Sequence, residues 1–291
     1  MAEKRGLFES GGRRLAGSTA SARWPSFQLR GRSMIQTNKK PWFSRLFAWY
    51  IRRKLLRSFS TVYVRGLDTF AALARQRPVL WVSNHTAWWD SMLVLDLCSH
   101  TLGLDPYAMM DARSLRALPF LGWIGGFGVE LHDKAEGEKS VAYAASLLDA
   151  PQKIVAIFPQ GREQPVTLRP LRFFSGAARI AMLAKDAAVV PVSLRYEHGK
   201  FPKPDLFITI GAPVATGDGV VSTTHALEAA VTAQLDDTQE QLHDGRAHRW
   251  PKHLGGNSSP GLGVKLLART GRVDSTKFPV SSASGVSSPR S

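Results

Sequence analysis

Cysteine is nearly absent from this chain, and apolar runs long enough to span a membrane are absent. The 291 residues contain one cysteine, Cys98, so no disulfide can form within the chain and a reducing compartment fits the composition. The 8 histidines are scattered, with no pair at ligand spacing on a helix, so no metal site is predicted. No apolar run approaches the roughly 20 residues that cross a bilayer. We therefore expect a chain that does not cross a membrane by itself.

Acidic residues are scarce at both ends of the chain. Residues 1–57 hold 14 Lys and Arg against 2 Asp and Glu, and residues 246–291 hold 8 against 1. The middle, residues 58–245, holds 16 Lys and Arg against 20 Asp and Glu, although the whole chain carries a net charge of +15. The middle therefore offers no basic stripe for nucleic acid, and no nucleic-acid motif accompanies the basic ends. Nucleic-acid binding is not predicted.

The two ends also lack the hydrophobic periodicity of folded segments. Residues 1–40 and 246–291 are rich in Gly, Ser and Arg, a composition typical of disorder. An organellar transit peptide is an alternative for the first segment, but Glu3, Glu9 and the missing amphipathic run argue against it. A second alternative is that translation starts at Met34, close to the first structured segment. Both ends are predicted to be disordered and basic.

Residues 41–57 mix aromatic anchors with cations. Trp42 and Trp49 lie near Arg53 and Lys54, a combination suited to a helix in a bilayer interface. The apolar positions cover most of the helix circumference, so a helix packed on the rest of the protein is an equally supported alternative. The two alternatives are compatible. We expect a peripheral membrane protein on the cytoplasmic face, in contact with the lipid surface.

Short apolar strands alternate with helices between residues 58 and 245. Strands are predicted at 61–65, 79–82, 107–110, 129–131, 154–158, 189–195 and 206–210, and helices at 67–76, 90–97, 112–117, 138–148, 176–184 and 226–242. This alternation predicts one α/β domain over 58–245, with a core at 78–197 and a mixed sheet flanked by helices. The oligomeric state is left open.

A histidine follows the second predicted strand, and a carboxylate follows five residues later. His85 lies at the carboxyl end of a buried strand, where open α/β sheets place their ligands. Asp90 falls in the first turn of the next helix and can turn back towards the imidazole. Alone, such a pair is more often a turn residue and a helix starter. An imidazole oriented by a carboxylate can nevertheless take a proton from a hydroxyl near neutral pH, so both residues are candidate catalytic residues.

Two tryptophans, Trp88 and Trp89, lie between these two residues. They are candidates for contact with an apolar chain of a substrate. Tryptophans beside a buried strand are, however, more often part of the core. Both alternatives stay open from the sequence alone.

Three further segments follow the histidine in order: Gly125-Gly126-Phe127, Ile157-Phe158-Pro159-Gln160-Gly161-Arg162-Glu163 and Val189-Val190-Pro191-Val192. With Asn84-His85 and Asp90, they resemble the blocks of the glycerolipid acyltransferases, the family of glycerol-3-phosphate and lysophosphatidate acyltransferases. The first block resembles the His-x4-Asp block of that family. The segment from Ile157 to Glu163 resembles the Phe-Pro-Glu-Gly-Thr-Arg block of that family. The resemblance covers roughly 78–197.

The resemblance implies direct acyl transfer from acyl-CoA or acyl carrier protein to a hydroxyl of a lipid acceptor. His85 would be the general base and Asp90 its orienting carboxylate, with no cofactor and no metal. The default acceptor is 1-acyl-sn-glycerol-3-phosphate (lysophosphatidate) or another lysophospholipid. A glycosylated lipid acceptor and a catalytically inactive membrane-bound homologue are the alternatives.

The turn after the strand that ends at Phe158 is the predicted acceptor site. A tight turn exposes backbone N–H groups, and arginines beside it suit a phosphate. Arginines at this density are more often a solvated face, but the position after a buried strand favours a site. The block departs from the family, because Gln160 replaces Glu and Arg162-Glu163 replaces Thr-Arg. The predicted substrate-binding residues are Asn84, Pro159, Gln160, Gly161, Arg162 and Arg172.

Overall fold

The computed structural model describes residues 34–130, 133–199 and 201–255. Most of the two predicted disordered ends, residues 1–33 and 256–291, lies outside these described residues. The described chain forms an eight-stranded mixed sheet with helices on both faces. The predicted α/β fold class, a mixed sheet flanked by helices, is confirmed.

The strands and helices alternate along most of the chain. The strands are β1 Thr61–Arg65, β2 Val79–Ser83, β3 Asp105–Asp111, β4 Gly126–Val129, β5 Lys153–Ile157, β6 Ala188–Glu197, β7 Asp205–Ile210 and β8 Lys252–Gly255. The helices are α1 Pro41–Ser58, α2 Leu67–Gln76, α3 Trp89–Val94, α4 Ala112–Ala117, α5 Phe120–Trp123, α6 Lys134–Ser146, α7 Gly176–Leu183 and α8 Val220–His243. Helix α3 continues as a π-helical segment, Leu95–Thr101, and a 3₁₀ turn occupies Ala247–Arg249.

The strand order in the sheet is β4-β3-β5-β2-β6-β7-β1-β8. The five strands from β4 to β6 are parallel. Strand β7 is antiparallel to β6 and parallel to β1, and β8 is antiparallel to β1. Because β5, β2 and β6 are parallel neighbours, their carboxyl ends meet at the same edge of the sheet.

Strand β2 is buried on both faces at the centre of this sheet. Val79 and Trp81 belong to the core cluster that includes residues of α1, α2 and α3. Leu80 and Val82 belong to the opposite cluster, with residues of α6, α7 and α8. Helices that cover both faces of a parallel sheet explain why this strand is a continuous apolar run rather than an alternating one. The double burial holds the end of β2 rigidly in place.

Helix α1 has one buried face and one exposed face. Its buried residues recur every three or four positions and are Ser44, Ala48, Ile51 and Leu55. Its large exposed residues are Trp42, Leu46, Trp49 and Tyr50, whose exposed fractions run from 45% to 66%. In the described parts of the chain, no helix has the length and apolar character needed to cross a membrane. The helix thus packs mainly on the π-helical segment Leu95–Thr101 while it presents aromatic groups outward.

The prediction of disorder through residue 40 is wrong for residues 34–40. The backbone N–H of Gly128 donates to the carbonyl of Ile35 over 2.8 Å, which forms a bridge to β4. The Nζ atom of Lys39 contacts Asp105 Oδ1 at 2.5 Å and the carbonyl oxygen of Pro106 at 2.6 Å. Composition could not reveal this order, because it comes from pairing with distant strands.

The prediction of a disordered tail from residue 246 is also wrong as far as residue 255. Strand β8 covers the edge of β1, and the ring of Trp250 packs edge-on against Phe207 at 5.8 Å between centroids. An uncovered strand edge leaves unpaired N–H and C=O groups, so a short polar segment can be ordered by pairing alone.

The strand at the glycine block begins earlier in the chain than predicted. A strand was predicted at 129–131, whereas β4 ends at Val129. Glycines disfavour strands by propensity, but a Cβ at Gly128 would lie 3.0 Å from Cα and Cβ of Ala112. The close approach of α4 therefore requires glycine inside this strand.

Candidate active site

Three segments converge at the carboxyl edge of the parallel strands. The loop after β2 carries His85, the loop after β5 begins at Phe158, and β6 ends beside them at residues 194–197. Strand β2 lies between the other two, so its loop is enclosed from both sides. This edge is where ligands bind in open α/β sheets.

His85 and Asp90 form the hydrogen-bonded pair that the sequence predicts. Nδ1 of His85 lies 2.7 Å from Oδ2 of Asp90. The same oxygen accepts the backbone N–H groups of Thr86, at 2.6 Å, and Ala87, at 3.0 Å. Asp90 is fully buried, and these donors offset the cost of burying a carboxylate without a cation. The short loop thus builds the pair from local contacts.

The contact with Asp90 decides which imidazole nitrogen is free. A carboxylate can only accept, so in the neutral ring Nδ1 of His85 carries the proton and Nε2 has the lone pair. The ring stacks on Phe158 at 4.7 Å between centroids, and the side chain is 17% exposed. Nε2 lies 3.7 Å from Oε1 of Glu163. The geometry therefore presents a basic nitrogen to a partly open site.

Tyr196, near the end of β6, was not predicted to be part of the site. Its hydroxyl donates to Oδ1 of Asp90. Burial, with the adjacent charge of Asp90, raises its pKa well above the ordinary 10.0, so the hydroxyl stays protonated and continues to donate. The tyrosine lies beyond the predicted strand end and 106 residues from Asp90. Only the pairing of β2 with β6 brings the two residues together.

Asn84 was predicted to bind substrate, but its side chain joins two strands instead. Its Oδ1 accepts the N–H of Leu194 over 2.8 Å, and its Nδ2 donates to the Leu194 carbonyl over 2.9 Å. The residue is 2% exposed. The structure therefore gives Asn84 a structural role, fixing the loop after β2 against β6.

Gln160 fixes the same loop from the other side. Its Oε1 accepts the backbone N–H of His85 over 2.7 Å, and the N–H of Gln164 donates to the His85 carbonyl over 2.8 Å. Gln160 is 5% exposed. A neutral amide makes this contact without a second negative charge near the buried Asp90. Gln160 thus positions His85, and both backbone polar groups of the histidine are held by the loop after β5.

The turn at Pro159 and Gly161 is closed by its own hydrogen bonds. The Pro159 carbonyl accepts the N–H of Phe174 over 2.9 Å, and the N–H of Gly161 donates to the Phe158 carbonyl over 3.0 Å. Gly161 has a φ of +69°, in the region that favours glycine. The expectation that this N–H is free for a phosphate is wrong, because the turn itself uses it.

The arginines of this loop separate into two groups. Arg169 pairs with Asp236 at 2.6 Å. Arg172 is exposed and lines an open groove of about 850 Å³ against α8. Arg162 is also exposed, and within the described residues it has no hydrogen bond or ion pair. The side chains of Arg162 and Arg172 are therefore available to a ligand, whereas that of Arg169 is engaged.

The two tryptophans of the histidine loop have different surroundings. Trp89 packs edge-on against Phe59, at 5.5 Å between centroids, and belongs to the margin of the core. Trp88 is 59% exposed. The core alternative thus applies to Trp89, and only Trp88 remains available to contact a substrate chain.

Among residues 34–130, 133–199 and 201–255, no group of three or more His, Cys, Asp and Glu side chains is arranged to hold a metal ion. Cys98 is buried in the π-helical segment, and burial raises the pKa of its thiol. A thiol held protonated in this way is a packing group.

Comparison with known proteins agrees with the fold. The sequence model of the acyltransferase family matches residues 61–195, which run from β1 into β6 and contain His85 and Asp90. A lyso-ornithine lipid O-acyltransferase from Pseudomonas aeruginosa is 27% identical over 184 residues, or 62% of this chain and 64% of the relative. The match therefore spans less than two thirds of that relative's length.

A solved structure shares the fold. The 1-acyl-sn-glycerophosphate acyltransferase PlsC from Thermotoga maritima superposes with a TM-score of 0.50 and 15% identity, over 68% of this chain and 79% of that one. The sheet, the histidine–aspartate edge and the family match together define an acyltransferase domain. The family model thus places residues 61–195 in the acyltransferase family, and the solved structure shares the fold of this chain.

Proposed function

We propose that this protein transfers a fatty acyl group from a thioester to a hydroxyl of a lyso-lipid, with His85 as the general base. The observation that carries the proposal is the 2.7 Å contact between His85 Nδ1 and Asp90 Oδ2. In the neutral imidazole this contact puts the lone pair on Nε2, at the edge of the sheet where ligands bind. Acyl-CoA and acyl carrier protein are the proposed donors, and no cofactor takes part.

In the proposed reaction His85 first accepts a proton from the acceptor and later gives a proton to the leaving group. Nε2 of His85 removes the proton of the acceptor hydroxyl as its oxygen attacks the thioester carbonyl. The carbon–sulfur bond of the resulting tetrahedral intermediate then breaks, and the imidazolium returns its proton to the leaving thiolate. The products are an ester and a free thiol. Asp90 stabilises the imidazolium between these steps and holds the ring in place.

The acceptor is proposed as a lyso-lipid with a free hydroxyl. The Pseudomonas relative is named for lyso-ornithine lipid and the Thermotoga protein for 1-acyl-sn-glycerophosphate, so both acceptors belong in a first comparison. A glycosylated lipid is the third. Arg162 and Arg172 remain the proposed headgroup contacts, because both side chains are exposed at this edge or in the adjoining groove.

The exposed face of α1 is the proposed contact with the membrane. Its aromatic and aliphatic side chains are flanked by four exposed cations, Arg45, Arg53, Lys54 and Arg57. The guanidinium of Arg53 lies 4.3 Å from the ring centroid of Trp49. Aromatic groups beside cations suit the headgroup region of an anionic bilayer. A peripheral location would bring a lipid acceptor to the site.

A free-thiol release assay with purified protein tests the proposal. Acyl-CoA and acyl carrier protein serve as donors, and lysophosphatidate, lyso-ornithine lipid and a glycosylated lipid serve as acceptors. Acceptor-dependent thiol release, with an ester product identified by mass spectrometry, is expected for at least one pair. No acceptor-dependent release from any pair would favour the inactive homologue.

A further inference from the structure

Glu163 occupies the side of His85 from which the acceptor hydroxyl has to approach. Its Oε1 lies 3.7 Å from Nε2, the nitrogen that is free to act as a base, and its side chain is 56% exposed. At this position the family block ordinarily carries an arginine. The charge next to the reacting nitrogen is therefore reversed relative to that block.

The backbone holds Glu163 in this place. Gln160 accepts from the N–H of His85, and Gln164 donates to its carbonyl. Residue 163 lies between these two anchors, so its backbone is held beside the histidine loop. The loop therefore places the carboxylate within reach of Nε2.

The negative charge of Glu163 is not neutralised by a basic side chain. Among the described residues its one ion-pair contact is with His85, which the base role requires to be neutral. The neighbouring Arg162 carries a positive charge and is unpaired within the described chain. The loop therefore offers one free charge of each sign, and the negative one lies 3.7 Å from the reacting nitrogen.

We propose that Glu163 selects lyso-lipid acceptors that carry an ammonium group close to the reacting hydroxyl. This inference rests on the proposed acyl transfer to a lyso-lipid. An ammonium beside the carboxylate completes an ion pair, whereas a phosphate monoester would bring two negative charges towards it. Arg162 suits an anionic group further along the same headgroup, so a zwitterionic headgroup matches both charges.

The test compares acceptors whose headgroups differ in charge. The probes are a lyso-lipid with a free amino-acid headgroup, its N-acetylated form, which lacks the positive charge, and lysophosphatidate. For the full-length protein, kcat/KM should be highest for the free amine. Glu163→Gln should lower the ratio of kcat/KM between the amine and its N-acetylated form about fivefold, the effect of one partly exposed charge pair. Glu163→Arg doubles the change in charge and should lower the ratio about 25-fold.

A matched control and a binding measurement separate charge selection from chemistry. Glu240→Gln, an exposed glutamate near the end of α8, should leave the ratio unchanged. Calorimetric binding of the same probes with the acceptor hydroxyl methylated requires no reaction, so it reports selection even if no acyl transfer occurs. Tighter binding of the amine, lost in Glu163→Gln, supports the inference. Equal binding of the three probes, preference for lysophosphatidate, or a ratio unchanged by Glu163→Gln would overturn it.

Discussion

Tyr196 and Asp90, 106 residues apart in the chain, are joined by a hydrogen bond from the tyrosine hydroxyl to Oδ1. The other oxygen of the same carboxylate contacts Nδ1 of His85. One carboxylate therefore connects the end of β6 to the proposed base. Because its hydroxyl contacts Asp90 and not the imidazole, we regard Tyr196 as a positioning residue.

Removing this hydroxyl should lower the rate without weakening acceptor binding. In Tyr196→Phe we expect kcat to fall about tenfold, since a hydrogen bond to a charged group contributes about 1.5 kcal/mol or more. The acceptor KM should stay within about twofold, because the hydroxyl acts through Asp90. Steady-state kinetics measures kcat and the acceptor KM separately. The control is Tyr50→Phe, on the exposed face of α1. Wild-type kcat in a folded Tyr196→Phe variant would exclude this role.

Loss of the proposed base should abolish most of the activity while the fold remains. We expect His85→Ala to lower kcat by about 10²-fold or more, the range that general base catalysis supplies. Asp90→Asn should have a similar effect, because an amide spoils the tautomer and the position of the ring. The exposed His100 provides the control His100→Ala, and circular dichroism checks folding. Full activity in folded His85→Ala would remove the histidine from the mechanism.

The exposed arginines of the β5 loop should affect acceptor binding more than turnover. Arg162→Gln and Arg172→Gln should each raise the acceptor KM severalfold and leave kcat at saturation within about twofold, the pattern of lost uniform binding. Lys185→Gln, at an exposed position after α7, is the charge-matched control. If only Arg162→Gln raises KM, the groove lined by Arg172 is not part of the acceptor site.

Binding to anionic membranes should depend on the outward cations of α1. Changing Arg45, Arg53, Lys54 and Arg57 to Gln removes four exposed charges, each worth about 1 kcal/mol near an anionic leaflet. Even three engaged charges correspond to more than about a hundredfold in partitioning. Co-sedimentation with anionic vesicles should show this loss and should weaken with salt in the unmutated protein. Equal, salt-independent binding of both proteins would place the membrane contact elsewhere.

Arg52 should behave differently from its neighbour Arg53. Its Nη1 lies 3.3 Å from Oδ2 of Asp96, a fully buried carboxylate that also contacts Nε2 of His253 at 2.9 Å. Arg52→Gln removes one partner of this buried charge and should lower the free energy of unfolding by about 2 kcal/mol. Arg53→Gln, at an exposed position, should change it by less than about 0.5 kcal/mol. Urea denaturation compares the two, and equal stabilities would show that Asp96 does not need Arg52.

Several elements were predictable because their signals are local. The bounds of β1, α2 and α4 agree with the predicted 61–65, 67–76 and 112–117, where hydrophobic spacing and turn residues coincide. The four-residue helix α5 was missed because so short a segment carries no periodicity. Strand β8 was missed because its order comes from the edge of β1 and not from its own composition.

The sequence by itself determined most of the strands and helices and the pairing of His85 with Asp90, because all of these depend on residues close together in the chain. The tertiary structure alone placed Tyr196 on Asp90, used Asn84 to join β2 to β6, and turned Glu163 towards the imidazole. The physical reason is the strand order β5-β2-β6. Periodicity reports which residues are buried, but only strand pairing decides which distant side chains meet at the end of a strand.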